Sequence, residues 1–157
     1  MAFKFTEENL KRIEAARKKY PTALAAVMDT IYIAQEQNGF ITNDVMEEIA
    51  GVLGVDAVSV LGVVTFYTMF HTKKMGKYHL QVCTNVSCML RGGYEIFEAV
   101  KAKVGAGHME VTGDGKFSVE EVECMGSCGT APMIAVNEDY YENLNKDKVL
   151  EIINSLS

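Results

Sequence analysis

Cys83-Thr84-Asn85-Val86-Ser87-Cys88 and Cys124-Met125-Gly126-Ser127-Cys128 decide how this chain is read. They hold all 4 cysteines of the protein, in two tight pairs with four residues inside the first and three inside the second. Each pair follows a stretch with strand character, Tyr78 to Val82 before Cys83 and Phe117 to Glu123 before Cys124. Loops that project thiols from the ends of fixed strands can close on one centre from two sides. Gly126 and Gly129 in the second loop, and Gly92-Gly93 after the first, let backbone amides approach sulfur with no side chain between. A helix start after Cys88 is expected to favour an anionic centre as well.

Three kinds of centre compete for such a set. A structural zinc site uses four cysteines, with two-residue gaps the commoner spacing. A redox dithiol asks for C-x-x-C, which neither loop has. A 2Fe-2S cluster takes two thiolates per iron, which two separated pairs supply directly. A Rieske-type centre would need two histidines, and His71, His79 and His108 do not sit in that pattern. These are read as surface or internally satisfied residues.

Composition narrows the classes further. The chain has 157 residues, enough for one large domain or two small ones without disulfide staples. A net charge of −6 argues against nucleic acid, whose phosphates call for a basic face. No stretch approaches the roughly 18 uninterrupted apolar residues of a membrane span. The longest, Val58 to Phe70, is broken by Ser59, Gly62, Thr65 and Thr68. Met1 to Thr6 lacks the apolar run of a signal peptide, so a cytoplasmic location without membrane insertion is expected. In a reducing compartment the cysteines are metal ligands or redox groups rather than disulfides.

Working outward, the N-terminal half is helical throughout. Thr6 caps a helix with Leu10, Ile13 and Ala16 on one side, ended by Tyr20-Pro21. A second carries Leu24, Val27 or Met28, Ile31 and Ala34 and stops at Asn38-Gly39. A third carries Val45 or Met46, Ile49 and Leu53 up to Gly54, and a fourth, capped by Asp56, turns Val60, Leu61 and Val64 inward. The aromatic run Phe66, Tyr67, Met69, Phe70 reads as core, with docking onto a partner as the competing reading. His71 to Lys77 is polar and basic and reads as a linker. Beyond it come a strand, a helix near Tyr94 to Val104, strands near Met109–Thr112, Phe117–Glu123 and Met133–Val136, and a closing helix from Lys146 to Leu156. The expected fold is therefore of the α+β or α/β kind, a helical domain over 1–75 followed by a small α/β domain over 76–157. Met125 and Met133 are expected to shield the centre, and Arg91 to face a partner carboxylate or solvent.

The segment Val82 to Cys88 with Arg91-Gly92, and Cys124 to Cys128 with Ala131-Pro132, resemble the two cluster loops of the small 2Fe-2S subunit family of NADH:quinone oxidoreductase (complex I). Gly62 to Phe70 and Thr112 to Phe117 are similar too, and the resemblance runs in order from about Pro21 to Leu156. It implies a thioredoxin-like ferredoxin domain behind a helical bundle, with Cys83 and Cys88 on one iron of a 2Fe-2S cluster and Cys124 and Cys128 on the other. Met89 stands where the family can carry a polar residue. The resemblance implies a partner flavoprotein subunit that binds FMN and NADH, and further complex I subunits, on the peripheral arm of a membrane-associated complex. Single electrons would pass between cluster and flavin. Related subunits serve NAD-linked formate dehydrogenases and hydrogenases, and a zinc-stabilised interaction module is the reading from another class. No dinucleotide fingerprint or phosphate loop occurs in the chain, so NADH and FMN are assigned to the partner.

Overall fold

The computed structural model describes residues 2–156; Met1 and Ser157, the outer ends of the two expected domains, lie outside the described residues. The chain divides into two compact units, Met1–Lys74 and Met75–Ser157.

The first unit is built from four helices: α1 (Glu7–Arg17), α2 (Val27–Asn38), α3 (Asn43–Leu53) and α4 (Ala57–Phe66). The Thr6 hydroxyl accepts the Asn9 amide at 3.2 Å and caps α1. α1 ends at Arg17, one turn before the Tyr20-Pro21 expected to end it, so the proline follows the stop rather than causing it. Gly39 and Gly54 close α2 and α3 in the left-handed conformation. Ile13, Ile31, Ile41, Val45, Ile49, Val60 and Val64 make the core.

Three expected inward residues point outward. Leu10, Leu24 and Leu61 are exposed. Leu24 falls in a short 3-10 turn, Leu24–Ala26, ahead of α2, and so leaves the helical stripe. On α4 every residue but Ser59, Gly62 and Thr65 is strongly apolar, so periodicity could not tell the inner face from the outer. Only Val60 and Val64 are buried. The aromatic run divides likewise: Phe70 is core, while Phe66 is 76% exposed and Tyr67 and Met69 also face outward. The helix ends at Phe66, and the extended backbone of Tyr67 turns the run out of register.

The second unit is a five-stranded sheet in the order β2-β3-β1-β4-β5, formed by β1 (Tyr78–Cys83), β2 (Glu110–Val111), β3 (Phe117–Val122), β4 (Ile134–Val136) and β5 (Asp139–Tyr141). β1 and β3 run parallel, with Cys83 opposite Val122; the other pairings are antiparallel. Helices α5 (Val86–Leu90), α6 (Gly93–Val104) and α7 (Lys146–Ser155) complete it. Leu80, Val82, Val119, Ile134 and Val136 share a core with Ile96, Val100, Val149 and Ile153 of α6 and α7.

Neighbouring residues of the same strands carry a buried polar row. His79 Nδ1 stands 2.8 Å from Ser118 Oγ, and His79 Nε2 stands 2.9 Å from Glu120 Oε2. Gln81 donates to the same carboxylate oxygen at 2.9 Å. Ser118 is 0% exposed, so this row stitches β1 to β3. Two elements go beyond what the sequence alone predicts. β5 pairs back on β4 as a hairpin after the strand expected over Met133–Val136, and α5 occupies a stretch whose spacing reads as a loop. Both are too short to show a period. The Ala131–Pro132 peptide is cis, a point the sequence leaves open. Among the described residues, no helix is long and apolar enough to cross a membrane.

Candidate metal centre

The parallel pairing of β1 and β3 sends the carboxyl ends of both strands to one edge of the sheet. Cys83 is the last residue of β1, and Cys124 follows β3 by two residues. The Thr84 amide donates to the Val122 carbonyl at 3.2 Å, which keeps the two chain segments together as they leave the sheet. Cys88 is carried on α5, not in a loop as the spacing suggests, and Cys128 opens a 3-10 turn, Cys128–Thr130.

All 4 cysteines are free thiols; Cys83 and Cys88 are buried, and Cys124 and Cys128 are exposed. The four line one recess of about 90 Å³ together with Asn85, Val86, Ser87, Gly126 and Ser127. That is roughly three times a water molecule's share of liquid volume. It is far below the ~300–1,000 Å³ of pockets that hold organic ligands. Larger hollows of about 580 and 370 Å³ lie against α6 and α7 and against α1 and α2, and no cysteine or histidine lines either.

The floor of the recess is apolar. Cys83 and Cys88 pack with Ala131 and Met133, and Val122 and Met125 lie against that group. Met133 is buried beside Cys83 and Cys88, and Met125 packs, partly buried, against the same group. Burial, followed by a hydrogen bond with Cys83, pushes the Cys88 thiol up to about 11, against the opposing pull of the Met133 backbone.

Polar backbone also reaches the thiols. The Gly126 N–H donates to Cys124 Sγ at 3.3 Å, in keeping with the glycine content of the second loop. The first loop works differently. The helix expected after Cys88 is α6, from Gly93, but a further helix, α5, starts ahead of Cys88, and the Asn85 side chain takes its first amide, that of Val86, at 2.6 Å. Gly93 serves packing instead: a Cβ there would lie 2.9 Å from the carbonyl oxygens of both Cys83 and Cys88. Arg91 is exposed, and its Nη1 donates to the Ala131 carbonyl at 3.2 Å, which ties the segment after Cys88 to the segment after Cys128.

Two carboxylates that sequence reasoning missed brace the recess from outside. Glu121 accepts the Thr84 hydroxyl at 2.8 Å, and Glu142 accepts the hydroxyls of Ser127 and Thr130. Sequence alone offers no signal for them, because both contacts join residues far apart in the chain. His79 lies in the buried polar row, and His108 Nδ1 accepts the Glu121 amide at 2.9 Å. Neither histidine lines the recess.

The donor set suits a binuclear centre. Four thiols come as two pairs from two chain segments, which matches two thiolates at each of two irons. Among the described residues, no three or more Cys, His, Asp or Glu form a set for a single metal ion; the thiols share the recess as two pairs. A small recess, an apolar floor and an amide on sulfur fit a compact anionic cluster and leave no room for a nucleotide.

Comparison with known proteins agrees. The chain is 41% identical over 157 residues to a subunit of the NADH-quinone oxidoreductase of Rickettsia conorii, covering 98% of this chain and 94% of that protein. It is 41% identical over 145 residues to the corresponding NADH-quinone oxidoreductase subunit of Rhizobium meliloti, covering 92% and 86%. The mitochondrial NADH dehydrogenase [ubiquinone] flavoprotein 2 of Dictyostelium discoideum is 38% identical, and the chain covers 64% of it. Among solved structures, an NAD+-reducing NiFe-hydrogenase in the H2-reduced state superposes with a TM-score of 0.69 at 15% identity over 80% of this chain. The chain spans 22% of that hydrogenase chain, and the likeness is one of fold. Residues 13–157 match the family model of the thioredoxin-like 2Fe-2S ferredoxins, and with relatives this similar over nearly their full length the chain belongs to that family.

Proposed function

We propose that Cys83 and Cys88 hold one iron of a 2Fe-2S cluster and Cys124 and Cys128 the other, and that the chain is the electron-transfer subunit of an NADH:quinone oxidoreductase. The observation that carries the reading is the single recess lined by all four thiols, two from the end of β1 and α5 and two from the segment after β3. When bound, such a cluster supplies one-electron transfer.

The chain's own residues do the rest. Cys88 must give up a proton that burial holds tightly, so loading the site releases protons. Met133, Ala131 and Val122 keep water from the inner side, where Cys83 and Cys88 lie. The exposed Cys124 and Cys128 mark the outer side as the one a partner reaches. A one-electron cluster cannot take a hydride, and an NADH site needs a larger pocket than this one; the flavin and the NADH site belong to a flavoprotein subunit bound beside the chain. Its place is then the cytoplasmic, peripheral part of a membrane-associated complex.

Metal and acid-labile sulfide analysis of the purified chain, with EPR before and after dithionite, tests this. Two irons, two sulfides and a signal only after reduction are the expected outcome. Stoichiometric zinc with no sulfide and no signal, after anaerobic preparation, would leave a structural four-cysteine module and no electron-transfer role.

A further inference from the structure

Ser127 lies between Cys124 and Cys128, and it lines the recess with the four cysteines. Its hydroxyl nevertheless donates to Glu142 Oε1, and Glu142 does not line the recess. Thr130 sends its hydroxyl to the same oxygen at 2.7 Å and stands 2.8 Å from the Ser127 hydroxyl. The next two residues continue the grip. The Asn143 amide donates to the Thr130 carbonyl at 2.7 Å, and the Leu144 amide to the Pro132 carbonyl at 3.1 Å. Residues 142–144, between β5 and α7, thus hold the second cysteine segment from behind.

A hydroxyl has one proton to give, and a carboxylate takes it in a charge-assisted bond stronger than one to a neutral acceptor. Hydrogen bonds to the sulfurs of an iron–sulfur centre are among the factors that set its potential. They ease the arrival of negative charge, so a hydroxyl aimed at sulfur favours the reduced state.

We propose that Glu142 is a positioning residue for this site: by capturing the Ser127 proton, it withholds a hydrogen bond from the sulfurs in the recess and keeps the centre's potential low. The inference rests on Cys124 and Cys128 being ligands. Glu142 also adds a negative charge near the site, which acts in the same direction, though its exposure screens that charge. Separating the two effects requires removing the hydroxyl as well as the carboxylate.

The test is a redox titration followed by EPR on the cluster-loaded wild type, Ser127→Ala, Glu142→Ala and the double variant, with iron and sulfide measured in each. Ser127→Ala alone is expected to leave the potential unchanged, because that proton is not spent on sulfur. Glu142→Ala is expected to shift it upward, and the double variant to shift it less. A downward shift in Ser127→Ala would mean that the hydroxyl already serves a sulfur, and would overturn the proposal. Equal potentials for Glu142→Ala and the double variant would also overturn it, leaving only the charge. Ser127→Ala removes a single oxygen, so its comparison stands even where Glu142→Ala fails to load. In the cluster-free chain, Glu142→Ala is expected to speed alkylation of Cys128 relative to Cys83; an unchanged ratio would count against the grip. A wild type with no iron would sink the ligand assignment itself, an outcome distinct from all of these.

Discussion

Gly93, the first residue of α6, rests directly on the backbone of Cys88: a Cβ at Gly93 would stand 2.9 Å from the Cys88 carbonyl oxygen and equally close to that of Cys83. The contact is with backbone, so no flexible side chain can swing away. The start of α6 therefore sets how closely the two buried cysteines are held.

Gly93→Ala must separate α6 from the Cys83–Cys88 segment. Overpacking of this kind costs about 1–3 kcal/mol. We expect a lower midpoint in chemical denaturation and faster loss of the visible cluster spectrum. Gly113→Ala is the control, because nothing lies within 4 Å of a Cβ there. Equal behaviour of the two variants would refute the packing role.

Arg91→Gln removes the tie from Arg91 Nη1 to the Ala131 carbonyl. The bond is neutral at the acceptor and charged at the donor, so its loss is expected to cost ~1–3 kcal/mol at most. Because it links the two cysteine segments, the effect should be larger on cluster retention than on global unfolding. Timed bleaching of the cluster absorbance under a chelator, set beside a thermal melt, measures both.

The thiols should differ in reactivity when the cluster is absent. Cys124 and Cys128 are exposed, whereas Cys88 is buried with its thiol pushed up to about 11. The thiolate is the reacting form, so at pH 8 iodoacetamide should label the exposed pair first and Cys88 last, read by peptide mass spectrometry. The sign for stability follows from the same shift. A group that binds its proton more tightly when folded supports the fold below its ordinary value of about 8.5. That support fades as pH rises from there through 11. The cluster-free chain should therefore lose stability over that alkaline window, and Cys88→Ser should flatten the loss.

Phe66 is 76% exposed at the end of α4, and Val60 on the same helix is fully buried. Phe66→Ser should leave thermal stability within about 0.5 kcal/mol of wild type. Val60→Ala opens a cavity in the core of the helical unit, and should cost on the order of 1–3 kcal/mol. A Phe66→Ser variant as unstable as Val60→Ala would return the aromatic run to the core.

The sequence by itself determined the donor set and most of the element order. Cysteine spacing needs no folding to be legible, and the glycines at positions 39 and 54 end their helices by local backbone preference alone. Strands β1 and β3 are legible as β-rich stretches, and α6 and α7 as amphipathic ones. What the local pattern could not carry was partnership. That β1 and β3 are parallel neighbours, so that Cys83 and Cys124 leave the sheet at one edge, is a pairing of strands far apart in the chain. The grip of Glu142 on Ser127, the tie from Arg91 to Ala131 and the seat of Gly93 on Cys88 are likewise contacts that only closure of the fold creates. The same holds for α4, whose nearly uniform apolar sequence left its buried face to be chosen by what packs against it. Ligand chemistry is a property of residue types and spacing, while the shape, depth and hydrogen bonding of the recess are properties of the packed chain.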